Sequence, residues 1–144
     1  MNEAKTCPVF GLYAASRHLI KIYSVHLEEV GLTYPQYLVI SCLLSADKLS
    51  VDEIGRELFL DSGTLTPLLK RLETNGFLVR GRCKIDERKR IIMLTDSGRE
   101  LQNKFDVIRE AIRSELHVSK EDVNLLTKIL TKIISNKNLG EKNA

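Results

Sequence analysis

No apolar run in the 144 residues approaches the roughly 18 that a membrane-spanning helix requires. The first apolar stretch, Val9 to Ala15, contains Gly11 and runs straight into Arg17-His18-Leu19-Ile20. It reads as the start of an amphipathic helix rather than a signal peptide, so a cytoplasmic protein with no membrane partner is expected. Cysteine is scarce: Cys7, Cys42 and Cys83 lie far apart and are odd in number. With no CxxC pair and no Cys/His cluster, zinc has no ligand set, and a disulfide framework is not expected. His18, His26 and His117 are scattered. Nucleophile–base pairings, metal-ligand spacings and phosphate loops are all missing, which argues against an enzyme and against any cofactor or metal. Internal repeats and low-complexity segments are missing too.

What remains is an ordinary globular composition, 43% hydrophobic and 28% charged, of a size that suits one domain with its own core. The net charge is only +3, but it is unevenly placed. Arg80, Arg82, Lys84, Arg88, Lys89 and Arg90 stand against Asp86 and Glu87, a net +4 in one short segment that leaves −1 for the rest. Concentrated positive charge of this kind points to nucleic acid.

Periodicity divides the chain into helices and one hairpin. Pro8 suits a first helical position, and Val9, Tyr13, Ser16, Ile20, Tyr23 and Leu27 form a stripe on a helix of about 8–30 that Gly31 ends. Thr33 with Gln36, Ser50 with Glu53, and Ser119 with Asp122 are capping boxes. The first opens a helix to about Ala46, apolar nearly all round and therefore central. The second opens a short helix, Val51 to Leu58. Leu65, Leu68, Leu69 and Leu72 then gather on one face of a regular helix closed by Gly76, while Gly63, Thr66, Pro67, Lys70 and Thr74 occupy the other, with Arg71 at its margin. Phe77–Lys84 and Arg90–Leu94 are strand-like runs around a charged tip. Thr95 caps a long helix to about Leu116, and a last helix carries Val123, Leu126, Leu130 and Ile133 as its stripe.

A short helix, a second helix and a hairpin in that order make a winged helix-turn-helix. The fold class expected is mainly α with a small β-hairpin wing. Its second helix fits the major groove, where short polar side chains reach base edges. An arginine-tipped wing fits the minor groove, whose negative potential attracts it.

The run Leu60-Asp61-Ser62-Gly63-Thr64-Leu65-Thr66-Pro67-Leu68-Leu69-Lys70-Arg71-Leu72-Glu73 resembles the MarR family of bacterial regulators. It is most similar to the OhrR branch of organic-hydroperoxide sensors and related thiol-based regulators. Leu32-Thr33-Tyr34-Pro35-Gln36-Tyr37 and the wing pattern Asp86-Glu87-Arg88 to Leu94-Thr95 match the same branch. The resemblance implies one MarR-type domain over 1–144, with dimerisation helices at about 8–30 and 96–137 and the winged helix-turn-helix at about 33–95. It further implies a homodimer on a pseudopalindromic double-stranded operator, and repression relieved by oxidation of a cysteine near the N-terminus. The branch places that cysteine four residues before a helix-one tyrosine, with a second tyrosine ten residues further on. Tyr13 and Tyr23 match the tyrosines, but Val9 holds the cysteine position and Cys7 lies two residues earlier. On a continued helix that offset is a rotation of about 200°. If the helix begins at Pro8, Cys7 sits at its N-cap instead, where a thiol is acidified.

On this resemblance Cys7 is the redox sensor, with Tyr13 and Tyr23 as its hydrogen-bond partners or else as core and dimer-interface rings. Ser62, Gly63, Thr64, Thr66 and Pro67 face the groove, Lys70 and Arg71 neutralise phosphate, and Arg88, Lys89 and Arg90 serve the minor groove. Asp86 fixes the wing turn. Tyr34 and Tyr37 read as packing residues, Cys42 as an inert buried thiol, and Cys83 as a strand residue or a second reactive thiol. A MarR-type repressor released by a small aromatic effector rather than an oxidant is the alternative, and a protein–protein adaptor built on the winged helix is a third reading.

Overall fold

The computed structural model describes residues 7–82 and 90–135. It divides into two compact units, one reaching Arg109 and one starting at Glu110.

In the first unit, helix α1 spans Pro8–Glu28, with Pro8 at its first position. Its exit is a turn in which Gly31 takes φ 68° and Leu32 N–H donates to Leu27 O (3.1 Å). Of the stripe on α1 only Leu27 is fully buried, while Val9 and Tyr13 are 74% and 57% exposed. Helix α2 (Tyr34–Leu44) begins where Gln36 Oε1 accepts from Thr33 N–H (2.9 Å). It buries Gln36, Tyr37, Val39, Ile40 and Leu43. Nearly all-round apolarity places it centrally, in contact with α1, the helix-turn-helix and the sheet.

Strand β1 is only Leu49–Ser50. Ser50 then caps α3 (Val51–Leu58): its N–H and Oγ both donate to Glu53 Oε2 at 2.7 Å, and its Oγ accepts from Glu53 N–H at 3.2 Å. Helix α4 (Ser62–Thr74) buries Leu65, Leu69 and Leu72, the face expected from their spacing. The sheet consists of β2 (Leu78–Arg82) and β3 (Arg90–Leu94) with β1 added on the far side of β3, all antiparallel. The sequence suggests only the hairpin. A two-residue strand has no alternation to read, and its pairing with Ile91 and Ile92 is a tertiary event.

Helix α5 (Asp96–Leu116) is fastened at its start. Thr95 Oγ1 donates to Gly76 O (2.6 Å) and accepts from Gly98 N–H (3.1 Å), while Thr95 N–H donates to Phe77 O (3.1 Å). Gly98 lies so close that a Cβ there would fall 2.1 Å from Phe77 O.

The second unit holds the end of α5 and helix α6 (Lys120–Ser135). His117 takes φ 51° between them. Ser119 Oγ accepts from Asp122 N–H (3.1 Å), which caps the helix, and its own hydroxyl donates to the Asp122 carboxylate (2.6 Å) in place of the backbone N–H of a full capping box. No residue of α6 is buried, and its stripe, including Val123, Leu126 and Ile133, is open.

Candidate nucleic-acid interface and thiol site

The helix-turn-helix is assembled by local chemistry. The turn out of α3 puts Phe59 at φ 54°, its N–H bonded to Gly55 O. Gly55 is required there, since a Cβ would meet Leu60 O at 2.9 Å. Asp61 caps α4, Oδ1 accepting from Thr64 N–H (2.9 Å) and Oδ2 from Thr64 Oγ1 (3.0 Å). The N–H and O–H donors of Thr64 hold the exposed carboxyl below its usual range. The cap explains Gly63, because a Cβ at that position would press to 3.0 Å on Asp61 Oδ1.

The structure brings Ser62, Gly63, Thr64, Thr66, Pro67, Lys70 and Arg71 together as one exposed face of α4. Pro67 stands inside the helix. Without an N–H it leaves the Gly63 carbonyl without its helical donor, at a cost of about 3 kcal/mol in an ordinary helix. Arg90 is exposed at the start of β3 and shares a register position with Arg82 of β2. Asp86, Arg88, Lys89 and Cys83 lie outside the described residues.

Not all of the basic segment is open to a polyanion. Arg80 turns inward, with its Nε 2.9 Å from Glu73 Oε2 on α4. Its Nε and Nη2 are shut off from solvent. A half-buried guanidinium held on a carboxylate in this way strands that carboxylate if it turns to a distant phosphate.

Cys7 is exposed and occupies the N-cap of α1 (φ −75°, ψ 121°), where Pro8 starts the helix. The backbone N–H groups of Phe10 and Val9 at the helix start lower the thiol pKa. Tyr13 is exposed, and its hydroxyl accepts from Arg17 Nη1 (3.1 Å). The Arg17 guanidinium also lies 5.7 Å from the Tyr13 ring centre. Tyr23 lies elsewhere, in an aromatic cluster with Tyr34 (5.2 Å between ring centres) and Tyr37 (5.4 Å). Burial among these phenols pushes Tyr23 up to about 12. Sixteen residues of helix separate Cys7 from Tyr23 by about 24 Å at 1.5 Å per residue, so one chain cannot join them. The cluster continues into Phe105, 4.6 Å from the Tyr37 ring, and Arg109, whose Nη1 donates to Tyr37 Oη (3.3 Å). No motif in the sequence points to Arg109. Nothing short of the helix packing places it against a partner 72 residues away.

Among the described residues, no group of His, Cys, Asp or Glu is arranged to hold a metal ion, and no helix is long and apolar enough to cross a membrane. Residues 21–105 match the family model for the transcriptional regulators SarA/Rot. The chain belongs to that family. Within it, this SarA/Rot-type regulator is 40% identical over 134 residues to the organic hydroperoxide resistance transcriptional regulator of Bacillus subtilis, covering 93% of this chain and 90% of that one. Its structure resembles AbfR of Staphylococcus epidermidis (TM-score 0.77, 36% identity, 88% and 87% covered). It also resembles the transcriptional repressor CouR bound to a 23-mer DNA duplex (TM-score 0.86, 25% identity, 93% and 96% covered). AbfR has been solved reduced on DNA and in a disulfide form. The winged-helix fold and the likeness to the MarR and OhrR regulators, read from three motifs, are thereby established. The chain is an OhrR-like transcriptional regulator.

Proposed function

We propose that this regulator is a cytoplasmic, homodimeric repressor that binds double-stranded DNA and releases it when Cys7 is oxidised by an organic hydroperoxide. The observation that carries this reading is the exposed Cys7 thiol at the α1 N-cap, acidified by two backbone N–H groups. Oxidation begins with attack of the thiolate on a peroxide oxygen. The O–O bond breaks, the alcohol leaves with a proton, and Cys7 becomes a sulfenic acid. A small thiol then condenses with it, water leaves, and a mixed disulfide remains. The names of the Bacillus subtilis relative and of the reduced and disulfide forms of AbfR support this chemistry.

The exposed face of α4 enters the major groove through Ser62, Gly63, Thr64, Thr66 and Pro67, with Lys70 and Arg71 on phosphate. Arg88, Lys89 and Arg90 follow the minor groove, and Asp86 orders the wing turn. The open apolar faces of α1 and α6 are the dimerisation surface. Two recognition helices must meet a pseudopalindromic operator at half-sites one helical turn apart, so a shift of a few ångströms at α1 suffices to lose binding. Dimerisation would also be the route by which a tyrosine reaches Cys7.

Mobility shift on its own promoter, before and after cumene hydroperoxide, tests the proposal. Wild-type protein is expected to release the duplex and Cys7→Ser to retain it. Release by the variant would remove Cys7 from the switch. Peroxide-insensitive binding that a small aromatic acid reverses would favour the ligand-released alternative.

A further inference from the structure

A cavity of about 500 Å³ opens between α2 and the C-terminal half of α3, away from Cys7 and from the exposed face of α4. Its size lies within the range of small-molecule sites. Leu38, Leu49 and Leu58 give it apolar walls, and Ser41, Cys42 and Glu57 supply its polar atoms.

The Ser41 hydroxyl is closed to solvent and has no hydrogen-bond partner. A helical serine ordinarily returns its proton to the carbonyl four residues back, as Ser45 Oγ does to Ser41 O (3.2 Å). Ser41 forgoes that bond, and an unsatisfied buried hydroxyl costs about 1–3 kcal/mol. Cys42 is half-buried. Burial and the neighbouring Glu57 carboxylate push its pKa up, so it stays a neutral thiol and serves as a soft wall. Glu57 is exposed and makes no ion pair with a described residue. One uncompensated carboxylate at the rim of an apolar hollow repels an anion and attracts a cation.

We propose that this cavity binds a small organic cation with an apolar body, of the arylalkylamine class. The ammonium group faces Glu57, and the hydrocarbon lies against Leu38, Leu49 and Leu58. The floor of the site is α3, which packs against α4. An occupant therefore lies directly behind the helix-turn-helix, independent of the thiol at Cys7.

The test is thermal melting of the full chain without DNA, which reads the site alone, with 2-phenylethylamine and its similarly sized anionic counterpart 3-phenylpropionate. A saturable rise in Tm with the amine, at least tenfold weaker with the acid, is expected. Glu57→Gln should lower the amine's apparent affinity about tenfold and bring the two compounds level. Ser41→Leu, which fills the hollow, should abolish the response, and Cys7→Ser should keep it whole. If the amine gives no saturable shift, or if Ser41→Leu or Glu57→Gln responds as wild type does, the site does not exist as described. Ser41→Leu counts only when its unliganded melt matches wild type to within a few degrees. Failing that, the Glu57→Gln comparison alone decides.

Discussion

Arg80 of β2 reaches back to Glu73 of the recognition helix, with Nε 2.9 Å from Oε2, its side chain 26% exposed against 42% for Glu73. The pair joins β2 to α4, the helix whose outer face is proposed to enter the major groove. An arginine in a basic segment invites assignment to phosphate. This one instead ties β2 to α4.

Salt dependence separates the two roles. Removal of one side chain that pairs with a phosphate should lower the slope of log K against log salt by about one. Lys70→Ala and Arg71→Ala are expected to do so. Arg80→Gln should weaken operator binding through misplaced geometry while the slope stays at the wild-type value. A slope reduced by one in Arg80→Gln would put Arg80 on the duplex after all.

Alkylation should rank the thiols. Cys7 is exposed and acidified, while Cys42 is half-buried with its pKa raised. Iodoacetamide followed by peptide mass spectrometry should label Cys7 first, and its rate should persist to a lower pH than that of an ordinary thiol. Cys42 should lag at every pH. Equal rates would contradict the N-cap geometry.

Two glycines in helices should respond in opposite directions. A Cβ on Gly98 would fall 2.1 Å from the Phe77 carbonyl, which is backbone and cannot swing aside. Gly98→Ala is therefore expected to destabilise by about 3 kcal/mol, the upper part of the usual overpacking range. A Cβ on Gly11 meets nothing within 4 Å. Gly11→Ala should be neutral or stabilise by up to about 1 kcal/mol, through helix propensity. Urea denaturation of both variants provides the check.

The tyrosine cluster sets a limit at high pH. Burial raises Tyr23 to about 12, above the 10 of a free phenol. A folded state that holds its proton more tightly than the unfolded chain has that stability in full below pH 10 and loses it as pH rises toward 12. Melting temperature should fall across that window, and Tyr23→Phe should flatten the fall. An unchanged pH profile in Tyr23→Phe would show that the cluster does not govern it.

Much of the fold is legible in the sequence because local chemistry dominates it. The Thr33–Gln36 and Ser50–Glu53 boxes, the Ser119–Asp122 pair and the cap at Thr95 mark helix starts through contacts three residues apart. The leucine spacing on α4 separates its buried face from its exposed one. Pro8 announces that α1 begins after Cys7, which converts an apparent two-residue misplacement into an N-cap. Long-range pairing is not legible. Strand β1 has two residues and no period, Arg109 meets Tyr37 only once α5 crosses α2, and the inward turn of Arg80 depends on Glu73 being opposite. The cavity behind α3 is a property of packing, and a serine beside a cysteine gives no sign of it.

The open apolar faces of α1 and α6 bear on dosage. If they close only against a second copy, folding and assembly share one equilibrium, and stability rises with protomer concentration. Below the dissociation constant, operator-competent protein grows as the square of copy number. A cell that halves its supply of this regulator then loses about three quarters of its active form, before any oxidant acts.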